Sequence, residues 1–327
     1  MENKKILIYA ELIQNEVQNS ALELLTKART VFPADDVQVA FVAGGTHVER
    51  AIEKLSHMGA DKLYITESDK LGMFNVDYMS AVVINAVKDF DPDIVLMPAS
   101  HYGEELSPTV AVKLKTAGSA HCVDIFTRED GTFVTMVPAF GGKVIGEILI
   151  PNTRPQIASV KPGIFSAAKQ PERPCEVIEV SGDILDGVTS KIKGISVEET
   201  VPSGIPVEKA ELIVCCGFGA AKPANWEMME QLAARLHGAT ACTRPVTDFD
   251  WGPDENKMIG TSGKSARPKV YLGFGVSGAS HHLCGMKDAG TIISINTDKE
   301  SAMFAASDYC VAADAATILE ELLDQLG

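Results

Sequence analysis

The sequence predicts an α/β protein of two domains, each a mainly parallel sheet flanked by helices. Short apolar runs alternate with segments of helical period, the pattern of strand–helix units. Several runs are apolar throughout, as strands covered on both faces are. A polar stretch with two Pro and two Gly, Lys191–Lys209, interrupts the alternation before it restarts. With 327 residues the chain is long enough for about two domains with sizeable cores. The expected boundaries are a first domain over 1–195, a linker over 196–209 and a second domain over 210–327.

In the first half, Lys5–Glu11 (KILIYAE) reads as a strand and Ser20–Phe32 as a helix. Val37–Ala43 is a strand running into Gly44-Gly45, Val48–Met58 a helix and Lys62–Thr66 (KLYIT) a strand. Asp77–Asp89 is helical, and Ile94–Ala99 (IVLMPA) is an almost purely apolar strand. From about Ala120 the pattern changes. The segments HCVDIFTRED, TFVTMVPAFGGKVIGEILI and IASVKPGIF read as β-hairpin material, with Asp130-Gly131 as a tight turn. The second half restarts with strand Glu211–Cys216, helix Trp226–His237, strand Lys269–Gly273, short helix Ala279–Lys287, strands Thr291–Asn296 and Tyr309–Ala312, and helix Ala315–Leu326.

Asp and Glu number 44 against 29 Lys and Arg, a net charge of −15. This excess argues against nucleic acid or an anionic membrane surface as the main partner, since both need a basic footprint. The apolar run Ile6–Ala10 stops at Glu11, too short for a signal-peptide core. No stretch approaches the ~20 apolar residues of a membrane span. A cytoplasmic protein is expected. The seven cysteines form no C-x-x-C pair. Iron–sulfur and zinc sites need clustered thiolates, so neither is expected.

The most chemical segment is KVYLGFGVSGASHHLCGMKD. Gly273, Gly275 and Gly278 spell G-x-G-x-x-G between a strand and a helix. Such glycines permit a tight turn and close approach of backbone to a pyrophosphate, whose charge the helix N-terminus favours. Asp298 follows about 20 residues later, where a ribose-binding acid would sit. By itself this is a Rossmann-like dinucleotide site, and an NAD-dependent oxidoreductase is the alternative reading. Gly275–Ala279 nearly spells a hydrolase nucleophile elbow, but Ala279 replaces its last glycine. A second glycine loop, Cys216–Ala220, and a third loop, Met258–Lys264, lie at other segment ends. Glycine loops at two strand ends point to a ligand across the carboxyl edge of the sheet.

The run GVSGASHHLCGMKDAGTIISINTDKESAMFAASDYCVAAD resembles the FAD-binding signature of electron transfer flavoprotein alpha subunits. The likeness extends upstream through Cys242–Pro245 and Met258–Lys264. It also covers PASHYGEELSPTVAVKL and VPAFGGKVIGEILIPNTRPQIASVKPG in the first half, so nearly the whole chain is included. The resemblance implies a Rossmann-like FAD-binding domain at the C-terminus and a heterodimer with a beta subunit, whose interface the first domain supplies. Electrons would come from a dehydrogenase, such as an acyl-CoA dehydrogenase or a similar flavoenzyme, and in some systems the assembly bifurcates them. No residue is expected to be catalytic in its own right, because the flavin carries the chemistry.

The resemblance also assigns roles. Thr243 and Arg244 match a pair beside the isoalloxazine. Ile259, Gly260, Thr261 and Ser262 match the loop along the flavin, with the Ser262 hydroxyl facing N5. Ser277, Gly278, Ala279, Ser280, His281 and His282 match the turn over the pyrophosphate, ribityl chain and pyrimidine edge, with His282 at the C2 carbonyl. Asn296, Asp314 and Ala315 match contacts to the adenosine end. Four positions depart from the family pattern: Phe218 and Val137 stand where Arg is usual, His281 replaces Gln, and Ser262 replaces Thr. Phe218 is expected to pack against the flavin or adenine. Without that Arg, the anionic form of the flavin should be less stabilised than is usual.

Overall fold

Continuous apolar runs place the strands of the first half inside a sheet that is covered on both faces. The structure, a computed structural model, describes residues 4–32, 37–139, 144–171, 173–197 and 204–326. The chain divides into two compact units, 1–198 and 199–327. The first unit contains β1 (Lys4–Tyr9), β2 (Leu12–Ile13), β3 (Glu16–Val17), α1 (Ser20–Val31), β4 (Val37–Gly45), α2 (Glu49–Ser56), β5 (Lys62–Glu67), α3 (Val76–Phe90), β6 (Ile94–Pro98), α4 (His101–Lys113), β7 (Gly118–Cys122), β8 (Asp124–Thr127), β9 (Phe133–Ala139), β10 (Val144–Ile148), β11 (Gln156–Val160) and β12 (Glu176–Val180).

Seven of these strands form one parallel sheet in the order β12-β5-β4-β1-β6-β11-β7. Its centre shows why apolar runs without alternation were needed. Ile6 and Ile8 pack with Leu24 and Leu55 on the α1/α2 face. Leu7 and Tyr9 pack with Val83 and Val110 on the α3/α4 face. Each such side chain stabilises the fold by about 1.5–3 kcal/mol. Only β8, β9 and β10 form the antiparallel extension. Its first turn is the expected one: Gly131 has φ +81°, and the Arg128 amide donates to the Thr132 carbonyl.

The hairpin reading of IASVKPGIF is corrected. Gln156–Val160 returns to the main sheet between β6 and β7, and β7 is itself a parallel strand of that sheet. Ile157, Ala158, Ser159 and Val160 are all buried, which suits a strand covered on both faces. Residues 140–143, inside the expected β9–β10 turn, lie outside the described residues.

The second unit contains β13 (Leu212–Cys216), α5 (Pro223–Arg235), β14 (Ala239–Cys242), β15 (Val270–Phe274), α6 (Ser280–Leu283), β16 (Thr291–Asn296), α7 (Ala302–Ala305), β17 (Tyr309–Ala312) and α8 (Ala315–Gln325). Its five strands are parallel, in the order β14-β13-β15-β16-β17. The chain leaves β13 toward β14 on one side and returns to β15 on the other. That reversal is a topological switch point, where open α/β sheets bind ligands at their carboxyl ends. Of the expected linker 196–209, residues 198–203 lie outside the described residues, and Val207 packs into the core of the second unit.

Candidate functional site at the carboxyl edge of the second sheet

Two glycine turns interlock at the switch point. The Gly217 amide donates to the Phe274 carbonyl at 2.8 Å, and the Gly219 amide to the Gly275 carbonyl at 3.1 Å. Gly275 has φ +64°, and a Cβ there would stand 2.4 Å from the Ala220 nitrogen. A Cβ on Gly217 would stand 2.3 Å from the Gly275 oxygen. These glycines therefore let two protein backbones touch, whereas the motif alone suggested room for a pyrophosphate. Gly278, at φ +81°, likewise lies against the backbone of Met303.

The turn after β15 is oriented by its carbonyls. Asn296 Nδ2 donates to the Val276 oxygen at 2.9 Å, and the Ser301 hydroxyl to the Ser277 oxygen at 3.2 Å. Among the described residues, nothing accepts from the amides of Ser277, Gly278 or Ala279. The side chain of Ser277 is exposed beside them, and Ser280 is half-buried. Successive free amides and hydroxyls of this kind make an anion-binding concavity.

A second loop runs beside this turn. The Ile259 amide donates to the Cys242 carbonyl at 2.9 Å, and Gly260 takes φ +151°. The Thr261 amide donates to the His281 carbonyl at 2.9 Å, and the Thr261 hydroxyl lies 3.2 Å from His281 Nδ1. Thr261 and Ser262 are exposed. His282 is buried, with Nδ1 3.0 Å from the Ile259 carbonyl and Nε2 2.7 Å from the Tyr271 hydroxyl. Burial pushes its pKa down to about 4. Both ring nitrogens thus lie within hydrogen-bond distance of protein oxygens.

Thr243, buried, follows β14 and donates its amide to the Cys216 carbonyl at 3.0 Å. Arg244 is exposed and pairs with Asp248, and it also donates to the Thr247 hydroxyl at 2.9 Å. Phe218 is 64% exposed at the tip of its turn. It stacks on Phe249 at 5.9 Å, which stacks on Trp251 at 5.3 Å. Phe249, Trp251, Asp248 and Tyr271 escaped the sequence reasoning; the alternation Phe249-Asp250-Trp251 was the available signal for the stack.

Asp314 and Ala315 also follow a carboxyl strand end, but beyond β17, two strands from β15. The Asp314 carboxylate caps α8 by accepting from the amides of Ala316 and Thr317 at 3.0 and 3.2 Å. Asp298, the acid that a nicotinamide site would use on ribose, accepts from the amide of Glu300 in its own turn. A cavity of about 850 Å³ flanks the start of β14, lined by Val207, Glu230, His237 and Lys257, and holds none of the expected residues. Among the described residues, no cluster of His, Cys, Asp or Glu could hold a metal ion.

A parallel sheet with its glycine turns at the switch point, free amides in the turn after β15 and hydroxyls alongside defines a dinucleotide-binding α/β domain. The donor set suits a flavin dinucleotide: amides for the diphosphate, and the Thr261 and Ser262 hydroxyls for the polar edge of a ring. Residues 6–185 match the electron transfer flavoprotein domain, and residues 206–287 match the electron transfer flavoprotein FAD-binding domain. The chain belongs to the electron transfer flavoprotein alpha subunit family, and FAD is its cofactor. It is 30% identical to an electron transfer flavoprotein subunit alpha of Thermoanaerobacterium thermosaccharolyticum, covering 99% of this chain and 98% of the relative. Protein FixB of Clostridium saccharobutylicum is 30% identical, over 98% of this chain and 96% of its own. Subunit LctC of a lactate dehydrogenase (NAD(+),ferredoxin) from Acetobacterium woodii is 29% identical, over 98% of this chain and 76% of its own.

Proposed function

We propose that this chain is the FAD-carrying subunit of a cytoplasmic heterodimer that moves electrons from a dehydrogenase to a redox partner. The other subunit is an electron transfer flavoprotein beta subunit, and the donor is a flavoenzyme of the acyl-CoA dehydrogenase type. When bound, FAD supplies the redox chemistry. The chain's residues hold and orient it: the amides of Ser277–Ala279 and the Ser280 hydroxyl at the diphosphate, Thr261 and Ser262 along the ring, Thr243 and Arg244 beside it. The observation that carries this reading is the row of free amides at Ser277–Ala279, inside the switch point of a matched FAD-binding domain.

The interface role of the first unit rests on its antiparallel extension. Val144 and Ile145 of β10 are each 51% exposed, and Ile148 is 40% exposed. An apolar strand edge of this kind calls for a partner. Among the described residues, no helix is long and apolar enough to cross a membrane. Co-purification with the beta subunit, followed by a count of flavin and adenine nucleotide per heterodimer, tests the reading. One FAD with AMP supports simple transfer. Two FADs support a bifurcating assembly, a direction in which the pairing of NAD(+) with ferredoxin in the LctC relative's name points. A heterodimer without flavin would refute the proposal.

A further inference from the structure

The turn that carries the free amides is held by one buried serine. Ser301, 8% exposed, follows β16 and caps α7. Its hydroxyl lies 3.3 Å from the Val276 carbonyl oxygen and 3.2 Å from that of Ser277. The same hydroxyl oxygen accepts from Asn296 Nδ2 and from the Met303 amide, each at 3.3 Å. A hydroxyl has one proton and two lone pairs, so its whole capacity is engaged by the protein. The Val276 oxygen has a second, shorter donor in Asn296 Nδ2 at 2.9 Å. Among the described residues, the Ser277 oxygen has besides Ser301 only the Met303 amide, at 3.3 Å, and that N–H is shared with Ser301 itself. Of the two carbonyls, Ser277 therefore depends more on the Ser301 hydroxyl.

The other end of the same peptide carries the Gly278 amide. In a trans peptide the N–H and the C=O point opposite ways. With the Ser277 oxygen drawn toward Ser301, the Gly278 N–H points away from it. Glycine does not fix this choice: Gly278 sits at φ +81°, but the residue tolerates either sign of φ. Half a turn of the Ser277–Gly278 peptide would exchange the two groups and set a carbonyl oxygen where the amide had been. That oxygen would repel the anion that the amide attracts.

We propose that Ser301 is a positioning residue for the FAD diphosphate. Its hydroxyl holds the Ser277 carbonyl and so keeps the Gly278 amide turned toward the phosphates. The proposal rests on the flavin site described above.

The test uses the FAD-loaded heterodimer and two readouts, FAD affinity and the 31P resonances of the bound diphosphate. Ser301→Ala should weaken FAD binding about tenfold and shift the 31P resonances of the FAD that remains bound. Tenfold corresponds to about 1.4 kcal/mol, the scale of one lost buried hydrogen bond. Ser301→Thr keeps the hydroxyl and should restore both readouts. If the alanine variant does not fold, Ser301→Gly removes the hydroxyl while keeping a residue that is tolerated as a helix cap, and it should show the same two changes. Loss of the α7 cap alone would lower the urea midpoint of the flavin-free heterodimer and leave the 31P positions of bound FAD where they are; that result overturns the proposal. So does an alanine or glycine variant with wild-type affinity and 31P resonances, or a loss that threonine fails to restore. A wild-type heterodimer that takes up no FAD refutes the flavin site itself, whereas a wild type that binds FAD beside an unaltered variant leaves the site standing and refutes only the role of Ser301.

Discussion

His282 is neutral because it is buried, and acid opposes that state. Its pKa falls from 6.5 to about 4 on folding, with burial as the main cause and the bond to Ile259 working the other way. The folded chain therefore binds fewer protons than the unfolded chain between those values. The stability this group contributes is complete above pH 6.5 and is lost as pH falls toward 4, by up to about 3 kcal/mol. Urea midpoints of the second unit should drop between pH 7 and pH 4.5, and His282→Gln should flatten that dependence. Phe218 allows a second prediction. Phe218→Arg places a cation at the tip of the aromatic stack, and a nearby cation favours added electrons, so the flavin midpoint potential should rise by tens of millivolts (59 mV is a tenfold preference for one electron). An unchanged potential would place Phe218 beyond the flavin's electrostatic reach. The identity of His282 was legible in the run SGASHHLCG. Its bonds were not, because its partners lie 11 and 23 residues away in sequence and meet it only across the folded sheet.

The elements were legible where a single physical signal dominated. β1, β4, β5 and β6 are apolar runs, and β13, β15 and β16 end in or near glycine or polar turns. α4 was not read as a helix: His101–Lys113 carries Pro108 in its interior, and its start depends on the Ser100 hydroxyl accepting from the Gly103 amide at 3.1 Å. β12, largely exposed at the sheet edge, was missed because its strand state follows from pairing parallel to β5, between distant segments. The glycine turns were located correctly from the sequence, but their reason became visible only in three dimensions. Gly275→Ala should cost about 3 kcal/mol or more, since it adds left-handed strain to a Cβ 2.4 Å from the Ala220 nitrogen. Gly131→Ala, at φ +81° with nothing within 4 Å, should cost only about 1 kcal/mol. Urea unfolding of the two variants compares them directly, and equal losses would mean that contact between the turns is not what selects glycine.

At the scale of the whole molecule, one buried group in each unit makes stability respond to pH, and the two respond in opposite senses. Glu11, at the end of β1, is buried and accepts from the Ser100 hydroxyl at 2.5 Å. Burial raises its pKa above 4.5 against the smaller opposing effects of Ser100 and His101. The folded state therefore prefers the protonated acid, and stability falls as pH rises from 4.5 through the raised value. Glu11→Gln keeps the acceptor and removes the buried charge. It should stabilise the first unit at pH 7 while leaving the FAD count per heterodimer unchanged. Both tryptophans, Trp226 and Trp251, lie in the second unit, so tryptophan fluorescence follows that unit and far-ultraviolet circular dichroism follows the whole chain. The Glu11→Gln gain should appear in the dichroism and not in the fluorescence.

The central claim is that the carboxyl edge of the second sheet holds FAD through the turn Ser277–Ala279 and the loop ending at Ser262. An experimental structure of the flavin-loaded heterodimer tests it most directly. The account predicts a diphosphate within hydrogen-bond reach of the amides of Ser277, Gly278 and Ala279, and an isoalloxazine alongside Ser262. A nicotinamide coenzyme in that crevice, or FAD bound elsewhere on the heterodimer while this edge stays empty, would contradict it.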